Sequence, residues 1–305
     1  MKKIPFIKYS KLWFTISSLT VVVALALLLI WGLKFGIDFT GGSLMELSFT
    51  QNRPTTEQVQ GALKTAGLTD TVVQMSGTNE VIVRTTFLSE SEHEALLTVM
   101  RNSFNATTSS MREVSLQTVG GTVSQDLRQR AIYAIIWVNI AIIIYVAYAF
   151  RKVSRPVASW KYGGLAIVAL CHDILVVLGA FALFGHFFNI QIETDFVLAL
   201  LTVLGFSVTD TIVVYDRIRE NVMHHSAENF GEIVNVALNE TLMRSINTTL
   251  TVLLPLVALF FLGGESIHDF ALALIIGMAS GAYSSIFIAS PLLVAVERWQ
   301  RRRKV

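Results

Sequence analysis

Two carboxylates stand inside apolar runs of this sequence. Asp210 lies in FVLALLTVLGFSVTDTIVVYDRIR, residues 196–219, and Asp173 lies in LCHDILVV. If the first run is a helix across a bilayer, its rise of 1.5 Å per residue puts Asp210 roughly 22 Å from Asp195 at one end and about 9 Å from Asp216 at the other. An ionised Asp in hydrocarbon costs about 2.5–3.5 kcal/mol on insertion scales, so such residues face a partner or a water-filled path and mark ion or proton routes. Ser207 and Arg217 share the helical face of Asp210, with Arg217 two turns away and too far for a direct pair. Two readings stand: Asp210 ties helices together while protonated, or it takes up and releases a proton.

Arg244 precedes another apolar run and is followed by Ser245, Asn247, Thr248 and Thr249. It either snorkels to the headgroups or approaches Asp210 as a gate, since an opposite charge favours the ionised carboxyl. His172 and Asp173 are adjacent and point about 100° apart on a helix, so spacing alone does not pair them. Two membrane aspartates also raise the possibility of an intramembrane aspartyl protease, but the residues before Asp210 are Phe206-Ser207-Val208-Thr209, without the Gly-x-Gly-Asp of that chemistry. In FGIDFTGG, residues 35–42, Gly41 and Gly42 permit backbone conformations closed to other residues and Asp38 can bond nearby amides, which reads as a turn fixing a domain on the membrane. No metal site, phosphate loop or nucleophile elbow is recognisable, and His224-His225 reads as a solvated pair.

The elements that hold these residues belong to a membrane protein. Of 305 residues, 53% are hydrophobic and 15% charged, against about 25% charged in a soluble domain. A net charge of +2 with dispersed basic residues does not suit nucleic acid. Six apolar segments have spanning length: 13–33, 131–150, 163–184, 196–215, 246–262 and 270–294. Lys and Arg number four ahead of the first span, four in 151–161, three in 216–244 and five in the tail 295–305, and none in 185–195 or 263–269. Both termini are therefore expected on the cytoplasmic side. The first span lacks a small-residue cleavage site and reads as an uncleaved helix, so residues 1–33 form the N-terminus and first span. Cys171, the single cysteine, excludes a disulfide framework and reads as a small core residue.

Residues 34–130 read as an external domain of order β-α-β-β-α-β, the ferredoxin-like arrangement. Its expected elements are Ser43–Phe49, Thr55–Ala66, Thr71–Met75, Val81–Phe87, Ser91–Phe104 and Met111–Val119, with a hairpin at Gly77-Thr78-Asn79. Within 131–294, the stripe Phe230, Ile233, Val234, Ala237, Leu238 and Leu242 suggests an amphipathic helix near 228–243, either on the cytoplasmic membrane surface or packed on the bundle. Gly277, Gly281 and Ser285, four apart, mark a face of the sixth span that packs closely on another helix.

FGIDFTGGSLMELSF, LCHDILVVLG, FSVTDTIVVYDRIREN and ALNETLMRSINTT, in this order along essentially the whole chain, resemble the SecF branch of the SecD/SecF family. The resemblance implies one six-helix half of a resistance-nodulation-division transporter, with SecD as the other half in a heterodimer. It also implies a non-enzymatic role without cofactor in the bacterial inner membrane: use of the proton gradient to help preproteins through the SecYEG channel, with YajC and YidC as further neighbours. By position, Asp210 matches the family's proton-pathway aspartate and Arg244 the arginine after the ALNET segment, while Asp173 and Asp38 match other motif positions. Thr209 stands where many relatives have Asn and keeps a hydrogen-bonding side chain. A half-subunit of a proton-driven small-molecule or lipid exporter is the alternative, and a purely structural scaffold for the channel would leave Asp210 without a reason.

Overall fold

The structure, a computed structural model, describes residues 4–50, 53–68, 71–104, 110–150, 158–224 and 229–303. In chain order these form α1 (Ser10–Ile30), a single turn α2 (Ile37–Thr40), β1 (Gly42–Phe49), α3 (Thr56–Thr65), β2 (Val72–Ser76), β3 (Glu80–Thr85), α4 (Glu90–Ser103) and β4 (Met111–Val119). The long helices α5 (Gly121–Ala149), α6 (Ser159–Phe188), α7 (Thr194–His224) and α8 (Phe230–Leu262) follow. Last come α9 (Glu265–Ser284), a π-helical turn (Ser285–Ala289) and α10 (Ser290–Arg302). Among the described residues, six helices are long and apolar enough to cross a membrane, the sixth running from α9 through the π turn into α10. The chain divides into two compact units, Phe35–Ile132 with Gln191–Thr194, and the remainder.

The smaller unit is the ferredoxin-like domain, its antiparallel sheet ordered β2-β3-β1-β4. Period-two alternation turns Met45, Leu47 and Phe49 of β1 inward, and the helices supply Val59 and Leu63 from α3 and Leu96 and Met100 from α4 to the same core. Elements fall within a residue or two of the expected bounds because their ends carry local chemistry. Thr55 and Gln58 form a capping box on α3, and Gly67, at φ +85°, ends it. On α4 the Glu92 carboxylate accepts the Ser89 backbone N–H at 2.8 Å and the Ser89 hydroxyl at 2.7 Å.

The Ser89 hydroxyl, and then its N–H, hold the Glu92 carboxyl below the ordinary carboxylate range. A depressed carboxyl contributes stability above its unfolded value and loses it as pH falls through the folded one. The first turn of α4 is therefore expected to fray on acidification. Amide exchange at Ser89 that stays constant across the carboxylate range would refute this.

Gly42 begins β1 at φ +132°, and a Cβ there would sit 2.5 Å from the backbone oxygen of Thr85, so no side chain fits. Gly41, at φ +76°, reverses the chain just before it. The turn expected at FGIDFTGG is present, but Asp38 bonds a distant amide rather than nearby ones: its Oδ2 accepts the N–H of Thr194, first residue of α7, at 2.8 Å. A carboxylate suits that position because the first N–H groups of a helix lack internal acceptors. Beside it the Gly36 N–H donates to the Ile192 carbonyl at 2.8 Å.

In the larger unit, 61% of the most apolar stretch of the sixth span and 50% of that of α7 are buried, against 6% for α5. The sixth span and α7 thus form the inside of the bundle. The stripe from Phe230 to Leu238 is buried, but it does not form a separate surface helix; it is the first part of the 33-residue α8. There it packs into a cluster with Phe150, Tyr162, Tyr215 and Leu293. An apolar stripe reads the same whether it meets lipid or protein, and here protein takes it. Cys171 is exposed, so it is not a core residue, and His224 is an exposed residue in the last turn of α7 while His225 lies outside the described residues.

Candidate functional site in the helical bundle

The site starts from small residues. A Cβ on Gly277 would lie 2.3 Å from Val203 Cγ2, and one on Gly281 would lie 2.9 Å from Ser207 Cβ. The partner of the small-residue face is therefore α7 of the same chain, brought close enough for short side chains to bond across. Hydroxyls at this contact replace the solvent that a carboxylate would otherwise need.

Asp173, on α6, is fully buried. Its Oδ2 accepts the hydroxyls of Ser207 and Ser284, each at 2.7 Å. Its Oδ1 accepts Ser280 at 2.7 Å and lies 3.1 Å from His172 Nδ1. Spacing alone does not pair these neighbours; the contact between their side chains is what the structure adds. Ser207 likewise serves Asp173 rather than Asp210.

Asp210, on α7, is half-buried. Ser245 of α8 donates to it at 2.8 Å, and Ser285, first residue of the π turn, donates to its Oδ2. Arg244 is exposed, and its neighbour Ser245 holds the position expected of it against Asp210. Arg217 pairs instead with Glu240 at 2.8 Å and Glu220 at 2.7 Å. Thr209 is exposed and bonds its own helix at the Gly205 carbonyl, 2.8 Å away. Asp38, Gly41 and Gly42 belong to the smaller unit described above.

Sequence reasoning missed Ser245, Ser280 and Ser284 as partners of the carboxylates and took Ser285 only as a small packing residue. The available signal was the turn spacing of Ser280 and Ser284 beside Gly277 and Gly281.

Residues 98–299 match the family model described as protein export membrane protein SecD/SecF, C-terminal, and residues 27–52 match the SecD/SecF GG motif. The protein translocase subunit SecF of Thermobaculum terrenum is 42% identical, over 96% of this chain and 94% of the relative. The chain belongs to the SecD/SecF family. The SecF subunit of Anaerolinea thermophila is 38% identical over 95% of this chain and 93% of its own length. SecDF of Thermus thermophilus, a translocon-associated membrane protein, superposes with a TM-score of 0.85 at 32% identity. That match covers 97% of this chain and 39% of the SecDF chain, so this chain spans about two fifths of that solved SecDF. A SecDF structure in a super-membrane-facing form superposes at 0.68 with 30% identity. Membership in the SecD/SecF family makes the bundle part of a protein-export membrane protein, and the motif called GG spans Gly41 and Gly42, the pair whose positive φ values the fold requires.

Proposed function

We propose that this chain is one half of a proton-driven export motor. Paired with a separate SecD, it draws preproteins through the SecYEG channel, with Asp210 as proton carrier, Arg244 as the gate in its path and Asp173 holding the helices around it. It works as a transport subunit of the inner membrane and not as an enzyme, with both termini cytoplasmic, the ferredoxin-like domain on the far side, and YajC and YidC as neighbours. The observation that carries this reading is Asp210: a half-buried carboxylate in a membrane bundle, met by the hydroxyls of Ser245 and Ser285 and, among the described residues, by no cation.

Hydroxyl partners suit a group that changes charge. A serine donates to a carboxylate and accepts from a carboxylic acid, so both protonation states are held without moving heavy atoms far. Arg244 follows from its place beside Ser245. Neighbours on a helix point about 100° apart, so a partial rotation of α8 exchanges the hydroxyl for the guanidinium at Asp210. The ionised acid attracts Arg244 and the protonated acid releases it, which converts proton binding into helix movement.

Arg244→Gln is expected to leave thermal stability unchanged, since the side chain is exposed, while cutting gradient-dependent export severalfold. A loss of folded protein equal to the loss of export would reduce Arg244 to a structural role. Co-purification from native membranes tests the assembly: a SecD-like chain should accompany this one, and full export activity of the chain alone would end the half-motor reading.

A further inference from the structure

We infer that Asp173 and Ser284 are positioning residues for Asp210: they anchor the π-helical turn of the sixth span to α6, and the anchored turn aims Ser285 at Asp210. The inference rests on the reading of Asp210 as a proton carrier and adds what governs its proton.

Asp173 has the coordination of an anchor. Four partners fill its two oxygens, Ser207 and Ser284 on one, Ser280 and His172 on the other. These are all the acceptor sites that a carboxylate offers. Three of the four are hydroxyls from α7 and the sixth span, so one fully buried group ties three helices at one level.

Ser284 and Ser285 are consecutive, and consecutive helical side chains diverge by about 100°. Ser284 reaches α6 at Asp173, and Ser285 reaches α7 at Asp210. The two carboxylates thus hang on adjacent residues at the mouth of the π turn. Pro291 accounts for the wide turn. It has no N–H for the Phe287 carbonyl and its ring crowds that carbonyl, so the helix widens just before it. The widened turn is held by side chains: the Ser290 hydroxyl donates to the Ser285 carbonyl at 3.0 Å, and Tyr215 of α7 donates to the Ala289 carbonyl at 3.2 Å. A π turn holds one residue more than an α turn, so shifting it by one position rotates the helix beyond it. Ser284 on Asp173 fixes one edge of the turn, and Tyr215 fixes the other.

Among the described residues, the titratable groups on the surrounding elements include Asp173 and His172 on α6, Arg244 on α8, Tyr283 on the sixth span, and Tyr215 and Asp216 on α7 itself; α1 presents Ser17, bonded to Tyr283 at 3.0 Å. Further along, Arg217 is engaged with Glu240 and Glu220. Among the described residues the hydrogen bonds to the Asp210 carboxylate come from Ser245 and Ser285, so the aim of Ser285 bears directly on its proton.

The test is modification of Asp210 by dicyclohexylcarbodiimide, which attacks protonated carboxyls, in the full chain reconstituted in lipid vesicles and read by mass spectrometry across pH. Asp210→Asn sets the background. Ser285→Ala removes a hydroxyl donated to the charged form, and the pH of half-labelling should rise by about one unit, a tenfold change in proton binding. Ser284→Ala, which does not touch Asp210, should move it the same way, and the double variant no further than Ser285→Ala alone. Ser280→Ala takes the same kind of bond from Asp173 without touching the π turn, and should leave the profile in place. A Ser284→Ala profile that superposes on the unmodified chain overturns the inference, as does an equal shift from Ser280→Ala. If Asp210 never labels above background, the proton-carrier reading falls and this inference with it; a labelled Asp210 indifferent to Ser284 removes the inference alone.

Discussion

Asp210→Asn is expected to leave the bundle folded and to reduce preprotein export to the level of cells whose proton gradient has been collapsed. The substitution conserves shape. The amide oxygen accepts the Ser245 hydroxyl, and the amide nitrogen donates to Ser285, which turns from donor to acceptor. What disappears is the change of charge. One elementary charge moved through 100 mV is worth about 2.3 kcal/mol, roughly a fiftyfold bias between two states, so a cycle deprived of it loses its direction while its parts stay intact. Asp210→Glu keeps the titration but lengthens the arm by a methylene, and should retain partial coupling. Secretion of a reporter preprotein, with and without an uncoupler, measures the effect. Export by the Asn variant that remains uncoupler-sensitive would leave Asp210 as a hydrogen-bonded tie between helices and nothing more.

The parts of the molecule that sequence reveals are those whose cause is local. The ferredoxin-like order followed from alternation in Met45, Leu47 and Phe49, from the Thr55 cap and from the Gly67 stop, all decided within a few residues of chain. The spans followed from length and hydropathy. The expense of Asp210 was visible in the same way, but its partners were not. Ser245 and Ser285 lie 35 and 75 positions away, and the serines on Asp173 lie 34, 107 and 111 positions away, so only packing chooses them among many serines. Arg244 shows the limit well. Charge favours it as the partner of Asp210, yet α8 is turned by one residue and presents Ser245. The stripe starting at Phe230 was legible as a helix face, whereas its continuity with the fifth span depends on what covers it.

Gly277→Ala is the second large expected effect, and it concerns how the site is held. The added methyl would meet Val203 Cγ2 at 2.3 Å and Cγ1 at 2.8 Å. Val203 cannot swing aside, because a β-branched side chain has one strongly preferred rotamer in a helix, so the sixth span itself must move away from α7. Overpacking of this kind costs about 1–3 kcal/mol. The displacement does not stay local: one turn on, Gly281 rests against Ser207, whose hydroxyl is bonded to Asp173. Thermal unfolding of the purified chain should therefore occur at lower temperature in Gly277→Ala, and export should fall with it. Gly164→Ala is the control, since nothing lies within 4 Å of the added methyl there. The combination of Gly277→Ala with Val203→Ala exchanges bulk across the contact and should recover most of the loss, as coupled neighbours do. A pair whose penalties merely added would mean that the two helices do not meet at these residues, and the close approach that brings Ser207, Ser280 and Ser284 onto Asp173 would need another cause.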